Sequence, residues 1–177
     1  MWAALAGLVW YPMIWLGTSF GGELTPLPEL GPDAPPWRAF GWLVIWSTGA
    51  VYAGAVLVPL SRLSWYRVAL LLIGGAFSYW AAVQFSVEWD PLRSTVANVA
   101  LAGALAALFI GSVVVFVAGI AVEPWRWPAL VVAGAVGGAM IGGAVQFLDD
   151  SDAWTWAPGH IVWEVATCAA LWFRRAA

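Results

Sequence analysis

Six long apolar stretches, separated by short segments that carry nearly all of the charge, constrain this chain most strongly. They cover residues of about 1–20, 40–60, 66–87, 96–122, 128–148 and 153–173. Each is close to the ~20 apolar residues that a helix needs to cross a bilayer. Only 10% of the 177 residues are charged, against about 25% in a soluble domain. The sequence predicts an all-α, polytopic protein with six transmembrane helices in one transmembrane domain.

The charges between these stretches alternate in sign along the chain. The second and fourth connections and the C-terminal tail hold one acid, Glu123, beside Arg62, Arg67, Arg126, Arg174 and Arg175. The first, third and fifth connections hold only Arg38 and Arg93 as bases, against Glu23, Glu29, Asp33, Glu88, Asp90, Asp149, Asp150 and Asp152. Arginine-rich connections stay in the cytoplasm. The pattern predicts a protein of the plasma or inner membrane with both termini cytoplasmic and acidic loops outside.

Composition excludes several classes of function. The chain has no Lys, so it cannot form a Schiff base of the retinal type. It has no basic cluster of the kind that binds nucleic acid. Cys168 is the only cysteine, so there is no disulfide framework. The acidic loops and absent Lys also fit a salt-adapted (halophilic) source.

An internal repeat relates the third stretch to the fifth. The motif Ala82-Val83-Gln84-Phe85 recurs as Ala144-Val145-Gln146-Phe147, and acidic residues follow both copies. The first stretch joins this alignment more weakly. The sequence therefore predicts tandem helical hairpins, an organisation common among transporters, whose sites lie at repeat interfaces.

Small residues recur every four positions on three of the predicted helices. The ridges are Gly74, Ser78 and Ala82; Gly103, Ala107 and Gly111; and Gly134, Gly138 and Gly142. Such ridges let helix backbones approach closely within a bilayer. We expect them to pack helices against each other inside the protein, with contacts between copies of the chain as the alternative.

The sixth stretch carries the sharpest candidate for chemistry. Glu164 falls about halfway along it, and His160 lies four residues earlier on the same helix face. A carboxyl group at that depth is costly and is by default a functional hypothesis. His160 and Glu164 could continue a proton path from Asp149, Asp150 or Asp152. In the alternative, Glu164 is hydrogen-bonded structural glue and His160 an interfacial residue touching water.

Four further residues are candidates for ligand binding. Fifteen Trp are present, and about half lie near the ends of the stretches, where Trp typically meets the lipid headgroups. Trp80 and Trp163 lie deeper, where indole faces could line a cavity for an apolar or cationic ligand. Gln84 and Gln146 are the remaining candidates. Packing for the Trp and interhelical hydrogen bonding for the Gln are the alternatives.

No metal or cofactor site is predicted from the sequence. One His and scattered carboxylates lack the spacing of zinc ligands, and the acidic run Asp149–Asp152 lacks the pattern of an EF-hand loop. A haem with two His ligands is excluded because there is one His.

The segment His160-Ile161-Val162-Trp163-Glu164-Val165 resembles a short acid-bearing motif of the integral membrane terpene cyclases of meroterpenoid pathways. The resemblance implies an intramembrane enzyme in which Glu164 is the general acid that starts cyclisation. It covers six residues, and the motif lies in the last helix here rather than an early one. Six helices are predicted rather than the usual seven.

Three classes of function remain open. The first is a protein that binds or transports a small hydrophobic or cationic solute, with proton coupling through Glu164. The second is an accessory or structural subunit of a larger membrane complex. The third is a terpene-cyclase-like enzyme using Glu164. The expected partners are membrane lipids and a small hydrophobic ligand, with homo-oligomers or a larger complex as further candidates.

Overall fold

The computed structural model describes residues 1–21, 34–57, 63–88, 92–119, 121–147 and 153–172. These residues form helices, with no β-strand among them. The helices are α1 (Trp2–Leu8), α2 (Trp10–Ser19), α3 (Pro36–Trp46), α4 (Thr48–Leu57), α5 (Trp65–Glu88), α6 (Thr95–Ala118), α7 (Arg126–Phe147) and α8 (Ala157–Trp172), which a 3₁₀ turn (Ala153–Trp156) precedes. They build six segments: α1–α2, α3–α4, α5, α6, α7, and the 3₁₀ turn with α8. The predicted all-helical fold is confirmed.

Four segments are long and apolar enough to cross a membrane by length and composition. They are Pro36–Val56, Trp65–Ser86, Thr95–Val117 and Arg126–Phe147. Large apolar side chains on them point away from the protein; Phe116 is 85% exposed and Ile73 is 65% exposed. Such a surface suits hydrocarbon rather than water. The chain is therefore a helical membrane protein.

The first predicted stretch is divided in two at Val9. Pro12 lies in the first turn of α2. Proline has no N–H to donate and its ring clashes with the carbonyl group four residues earlier, here that of Leu8. Leu8 is the last residue of α1. The division thus follows directly from Pro12.

The second stretch is divided at Ser47. Its hydroxyl group donates to the carbonyl oxygen of Val44 at 2.8 Å. A side chain that bonds back to the preceding turn competes with the helical ladder and bends the helix. A Cβ atom added at Gly49 would lie 2.5 Å from the Cβ of Tyr79. The bend and the missing side chain bring α4 close against α5.

The fourth segment has clear signals at both ends. The Ser94 hydroxyl oxygen accepts from the N–H of Ala97 before α6 begins, which is a standard N-cap. Gly119 follows α6 with φ of 69°, and its N–H donates to the carbonyl oxygen of Val115. Glycine takes this left-handed conformation without penalty. The helix therefore ends earlier than the predicted limit near residue 122.

The six segments form a closed ring in chain order. Each segment packs against the next, through contacts of α2 with α3, α4 with α5, α5 with α6, α6 with α7 and α7 with α8. Contacts between α1 and α8 close the ring. On one side, Arg126 at the start of α7 donates to the carbonyl oxygens of Ala170 and Leu171 near the end of α8. These carbonyl groups belong to the last turn of the described helix and have no partner among its residues up to Trp172.

Two of the predicted small-residue ridges pack against each other. A Cβ atom at Gly134 would lie 2.8 Å from the Cβ of Ala107, and one at Gly103 would lie 3.1 Å from the Cα of Gly138. One at Gly142 would lie 2.8 Å from the Cα of Val96. The backbones of α6 and α7 thus meet along several turns, and the predicted role in internal packing is confirmed.

Candidate functional site

A cavity of about 210 Å³ occupies the centre of the ring. Residues of all six segments line it. On α6 the lining residues recur on one face of the helix, from Thr95 through Val99, Ala102 and Ala106 to Ile110. At ~1.5 Å per residue, Thr95 and Ile110 are separated by about 22 Å along the helix axis. The cavity is therefore a long, narrow slot that runs parallel to the helix axes through the centre of the ring.

Small residues create this space. The walls include Gly49, Gly75, Ala82, Ala102, Gly103 and Gly138. Gly49, Gly103 and Gly138 also sit at close backbone contacts between helices. Small residues therefore have two effects: they let the backbones of neighbouring helices approach each other, and they leave space at the centre of the ring.

Ring side chains gather at one wall of the slot, and we call them the aromatic cluster. Its members are Trp10, Tyr52, Tyr79, Trp156, His160 and Trp163. His160 stacks on Trp10 with ring centroids 4.8 Å apart. Trp156 lies on Trp10 with centroids 5.0 Å apart, and Tyr52 lies 5.9 Å from Trp163. The cluster joins residues of four segments that are distant in the sequence.

Hydrogen bonds fix the orientation of these rings. The Trp10 indole N–H donates to the Tyr79 hydroxyl oxygen at 2.5 Å. The Tyr52 hydroxyl group and His160 Nδ1 are 2.9 Å apart. The Trp163 indole N–H donates to the carbonyl oxygen of Gly103 at 3.1 Å. Because rings held by both stacking and hydrogen bonds lose little freedom when a ligand binds, the wall is preorganised.

The entrance to α8 places His160 and Trp163 against the neighbouring helix. A Cβ atom at Gly137 would lie 2.5 Å from the Cα of Trp163, and one at Gly159 would lie 2.8 Å from the backbone nitrogen of Ile141. This contact seats α8 on α7 without intervening side chains. The 3₁₀ turn and Pro158 at the second position of α8 make the start of this helix irregular.

Glu164 lies at the middle of α8 and is fully buried. The Cys168 thiol group donates to Glu164 Oε1 at 3.6 Å. Its other oxygen, Oε2, has no hydrogen-bond partner among the residues that the structure describes. The hydroxyl group of Thr167, also fully buried, has none there either. Glu164 does not line the cavity, although it is one helical turn from His160.

His160 and Glu164 share a buried face of α8, as their spacing predicts, but their hydrogen-bond partners differ. His160 pairs with Tyr52, whereas Glu164 pairs with Cys168. The acidic residues Asp149, Asp150 and Asp152 of the suggested proton path lie outside the described residues. The proton path stays a prediction.

The other sequence candidates occupy different environments. Trp163 lines the cavity. Trp80 is half-buried and packs against Phe77, with ring centroids 5.4 Å apart. Gln84 is half-buried and Gln146 is exposed, although the two align in the repeat. These three residues do not line the cavity.

Sequence reasoning did not assign Tyr52, Tyr79 or Trp156 to a site. Tyr52 and Tyr79 could have been noticed as hydroxyl groups well inside apolar stretches, where a polar group needs a partner. Trp156 resembles any Trp at the end of a membrane helix. Only the order of helices around the ring shows that these residues meet.

The described residues include no group of three or more His, Cys, Asp or Glu placed to hold a metal ion. What the site offers is an apolar slot with aromatic faces and a few hydrogen-bonding groups, which suits binding of a small molecule. No known protein family, curated protein or solved structure matches this chain.

Proposed function

We propose that this membrane protein binds a small, largely apolar molecule in the cavity at the centre of its helical ring. One observation carries this assignment: all six segments contribute to one slot, and the aromatic cluster forms one of its walls. Ligand sites in helical proteins are typically found between the helices of a bundle and are mostly apolar, with a few placed polar groups.

The size of the slot distinguishes it from a packing defect. Protein interiors are close-packed and have few voids larger than a water molecule. An engineered apolar cavity of ~150 Å³ is large enough to bind benzene. The slot, at about 210 Å³, exceeds that volume. A molecule somewhat larger than benzene, flat or linear in shape, is the expected occupant.

The charge of the lining favours a neutral occupant over a cation. Within the described part of the chain, no Asp, Glu, Lys or Arg lines the slot. Aromatic faces attract cations, but an isolated cation in an apolar cavity pays a large desolvation cost when no carboxylate lines that cavity. Of the two solute classes that the sequence suggested, the hydrophobic one therefore agrees better with the lining.

Movement of the bound molecule across the membrane is part of the same proposal. Ser86 near the end of α5 and Thr95 at the start of α6 mark one limit of the slot. By the distribution of arginines this limit faces outward and both termini face the cytoplasm. Glu164, buried one turn from His160, is the group proposed to couple movement to a proton.

Native mass spectrometry of gently extracted protein tests whether the cavity is a binding site. The wild-type chain is compared with Ala102→Leu, which adds bulk to a lining residue, and with Ala169→Leu, which adds the same bulk at an exposed position of α8. We expect the additional mass of one small molecule, somewhat larger than benzene, on the wild type and on Ala169→Leu, and its loss from Ala102→Leu.

An additional mass retained equally by all three chains would place the molecule outside the slot and overturn the assignment. Bound polypeptides in place of a small molecule would favour the alternative of an accessory subunit. The thermal unfolding midpoint of Ala102→Leu serves as the control for folding, since added bulk that fits the slot leaves it unchanged or raises it.

A further inference from the structure

Within the part of the chain that the structure describes, three hydrogen-bond donors in the aromatic cluster have no acceptor, and together they specify the chemistry of the occupant. The first is the Tyr79 hydroxyl group. Its oxygen accepts from the Trp10 indole at 2.5 Å, so its own proton is available to donate. No acceptor for that proton is found among the residues that the structure describes. Tyr79 lines the cavity.

The second donor belongs to the pair of Tyr52 and His160, whose hydroxyl oxygen and Nδ1 are 2.9 Å apart. If Tyr52 donates to Nδ1, the neutral imidazole carries its proton on Nε2, and that N–H is free to donate. If Nδ1–H donates to Tyr52, the hydroxyl proton is free instead. In either tautomer the pair presents one unused donor, and both residues line the cavity.

The third donor is the indole N–H of Trp156, in the same wall. This nitrogen is buried and has no hydrogen-bond partner within the described ranges. Indole nitrogen can only donate. A buried donor that stays unpaired costs about 1–3 kcal/mol, so three around one slot are a considerable cost unless a ligand accepts from them.

The two serines that line the slot are already engaged with the backbone. Ser78 donates to the carbonyl oxygen of Ala106 at 3.4 Å, and Ser86 donates to that of Val83 at 2.9 Å. A ligand that complements the slot therefore has to supply hydrogen-bond acceptors. An anionic acceptor is disfavoured because no Arg or Lys is found in the described lining.

We infer that the occupant is a neutral, flat, apolar molecule with carbonyl oxygens, such as a ketone or quinone, which accept hydrogen bonds from Tyr79, Trp156 and the Tyr52–His160 pair. This inference rests on the proposed function and adds the chemical class of the ligand. The slot has room for a flat skeleton of about this size, and the donors select the oxygens.

The test compares two probes with the same carbon skeleton. One has two carbonyl groups in a quinone ring, and the other is the fully aromatic hydrocarbon. They are 2-methyl-1,4-naphthoquinone and 2-methylnaphthalene, and binding is measured by calorimetry with the protein in lipid nanodiscs. Empty nanodiscs provide the correction for partition into lipid. We expect the quinone to bind wild-type protein at least about tenfold more tightly than the hydrocarbon, which corresponds to about 1.4 kcal/mol.

Two variants assign this preference to the donors. Trp156→Phe removes one donor and keeps a ring. The double variant Tyr79→Phe with Trp10→Phe does the same, because Tyr79→Phe alone would free the Trp10 N–H in place of the lost hydroxyl group. Each is expected to weaken quinone binding about 3–10-fold and leave hydrocarbon binding nearly unchanged. Trp65→Phe, at a position 82% exposed, is the matched control and leaves both affinities unchanged.

The outcomes separate this inference from the proposed function. Equal binding of both probes, abolished by Ala102→Leu, would overturn the carbonyl assignment and keep the cavity as an apolar site. Saturable binding of neither probe would overturn both. A quinone preference that both Phe variants retain would show that other groups donate hydrogen bonds to the carbonyl oxygens. That result would overturn the assignment of the donors.

Discussion

Trp10 stacks on His160 with ring centroids 4.8 Å apart and ring planes 16° from parallel. The contact joins the first segment to the sixth, where the ring of helices closes. It also holds His160 against the cavity, with Nδ1 directed to Tyr52. A single aromatic contact therefore contributes both to closing the fold and to shaping the candidate site.

Replacing Trp10 should destabilise the closed ring. Trp10 is 2% exposed, and removal of a buried Trp side chain costs about 3–5 kcal/mol in soluble proteins. We expect Trp10→Ala to lower the midpoint of thermal unfolding in detergent by roughly 6–20 °C. Trp15→Ala, at a position 62% exposed in the same helix, is the control. Equal effects of the two substitutions would contradict a specific role for the closing contact.

The packing of α6 on α7 predicts different tolerance at two glycines of the same helix. A Cβ atom at Gly138 would lie 2.9 Å from the carbonyl carbon of Val99, whereas one at Gly143 would have no neighbour within 4 Å. Gly138→Ala should therefore reduce the yield of folded protein and its unfolding midpoint, because backbone must move. Gly143→Ala should leave both unchanged. Size-exclusion chromatography and thermal scans would show the difference, and comparable behaviour would refute the helix contact.

Glu164 should be required for transport but not for occupancy of the cavity. It is fully buried, and it does not line the slot. Glu164→Gln keeps its shape and removes its capacity to ionise, so we expect normal folding and unchanged binding of 2-methyl-1,4-naphthoquinone. In vesicles that contain the Glu164→Gln variant, a proton gradient should no longer drive accumulation of the molecule that the wild-type protein transports. A fully active variant would exclude proton coupling through Glu164, and a variant that fails to accumulate in the membrane would make this residue structural glue.

The distribution of arginines predicts the orientation in the membrane. In a Cys168→Ser background, Arg93→Cys reports on the third connection and Ala121→Cys on the fourth; both positions are exposed. A membrane-impermeant maleimide applied to intact cells should label position 93 and reach position 121 only after lysis. The reverse labelling would invert the proposed topology.

The fold was largely predictable from the sequence because each membrane helix can be recognised from its own length, hydropathy and flanking charges. Length, hydropathy and charge gave six stretches whose limits lie within a few residues of most observed helix ends. The differences also have local causes: Pro12 divides the first segment, Ser47 bends the second, and Gly119 ends the fourth early. The small-residue ridges were predicted for the same reason, since small residues at every fourth position can be recognised within the sequence of a single helix.

The candidate site was only partly predictable because it depends on which helices become neighbours. His160 and Trp163 were found from their place in the sixth stretch. Tyr52, Tyr79 and Trp156 join them only through the closed ring, and apolar helices carry little information about their order around it. The repeat drew attention to Gln84 and Gln146, neither of which lines the slot. Side chains in equivalent positions of two helices need not share an environment when the helices have different neighbours.

Intermolecular NMR contacts test most directly whether the central cavity is a binding site. The protein is labelled at its alanine methyl groups, and nuclear Overhauser effects from bound 2-methyl-1,4-naphthoquinone are recorded in detergent micelles. Ala102 and Ala106 line the slot, and Ala169 is exposed on α8. We expect contacts to the methyl groups of Ala102 and Ala106 and none to that of Ala169. Contacts of similar strength to Ala169, or to Ala169 alone, would show simple partition onto the outer surface and contradict a binding site in the ring.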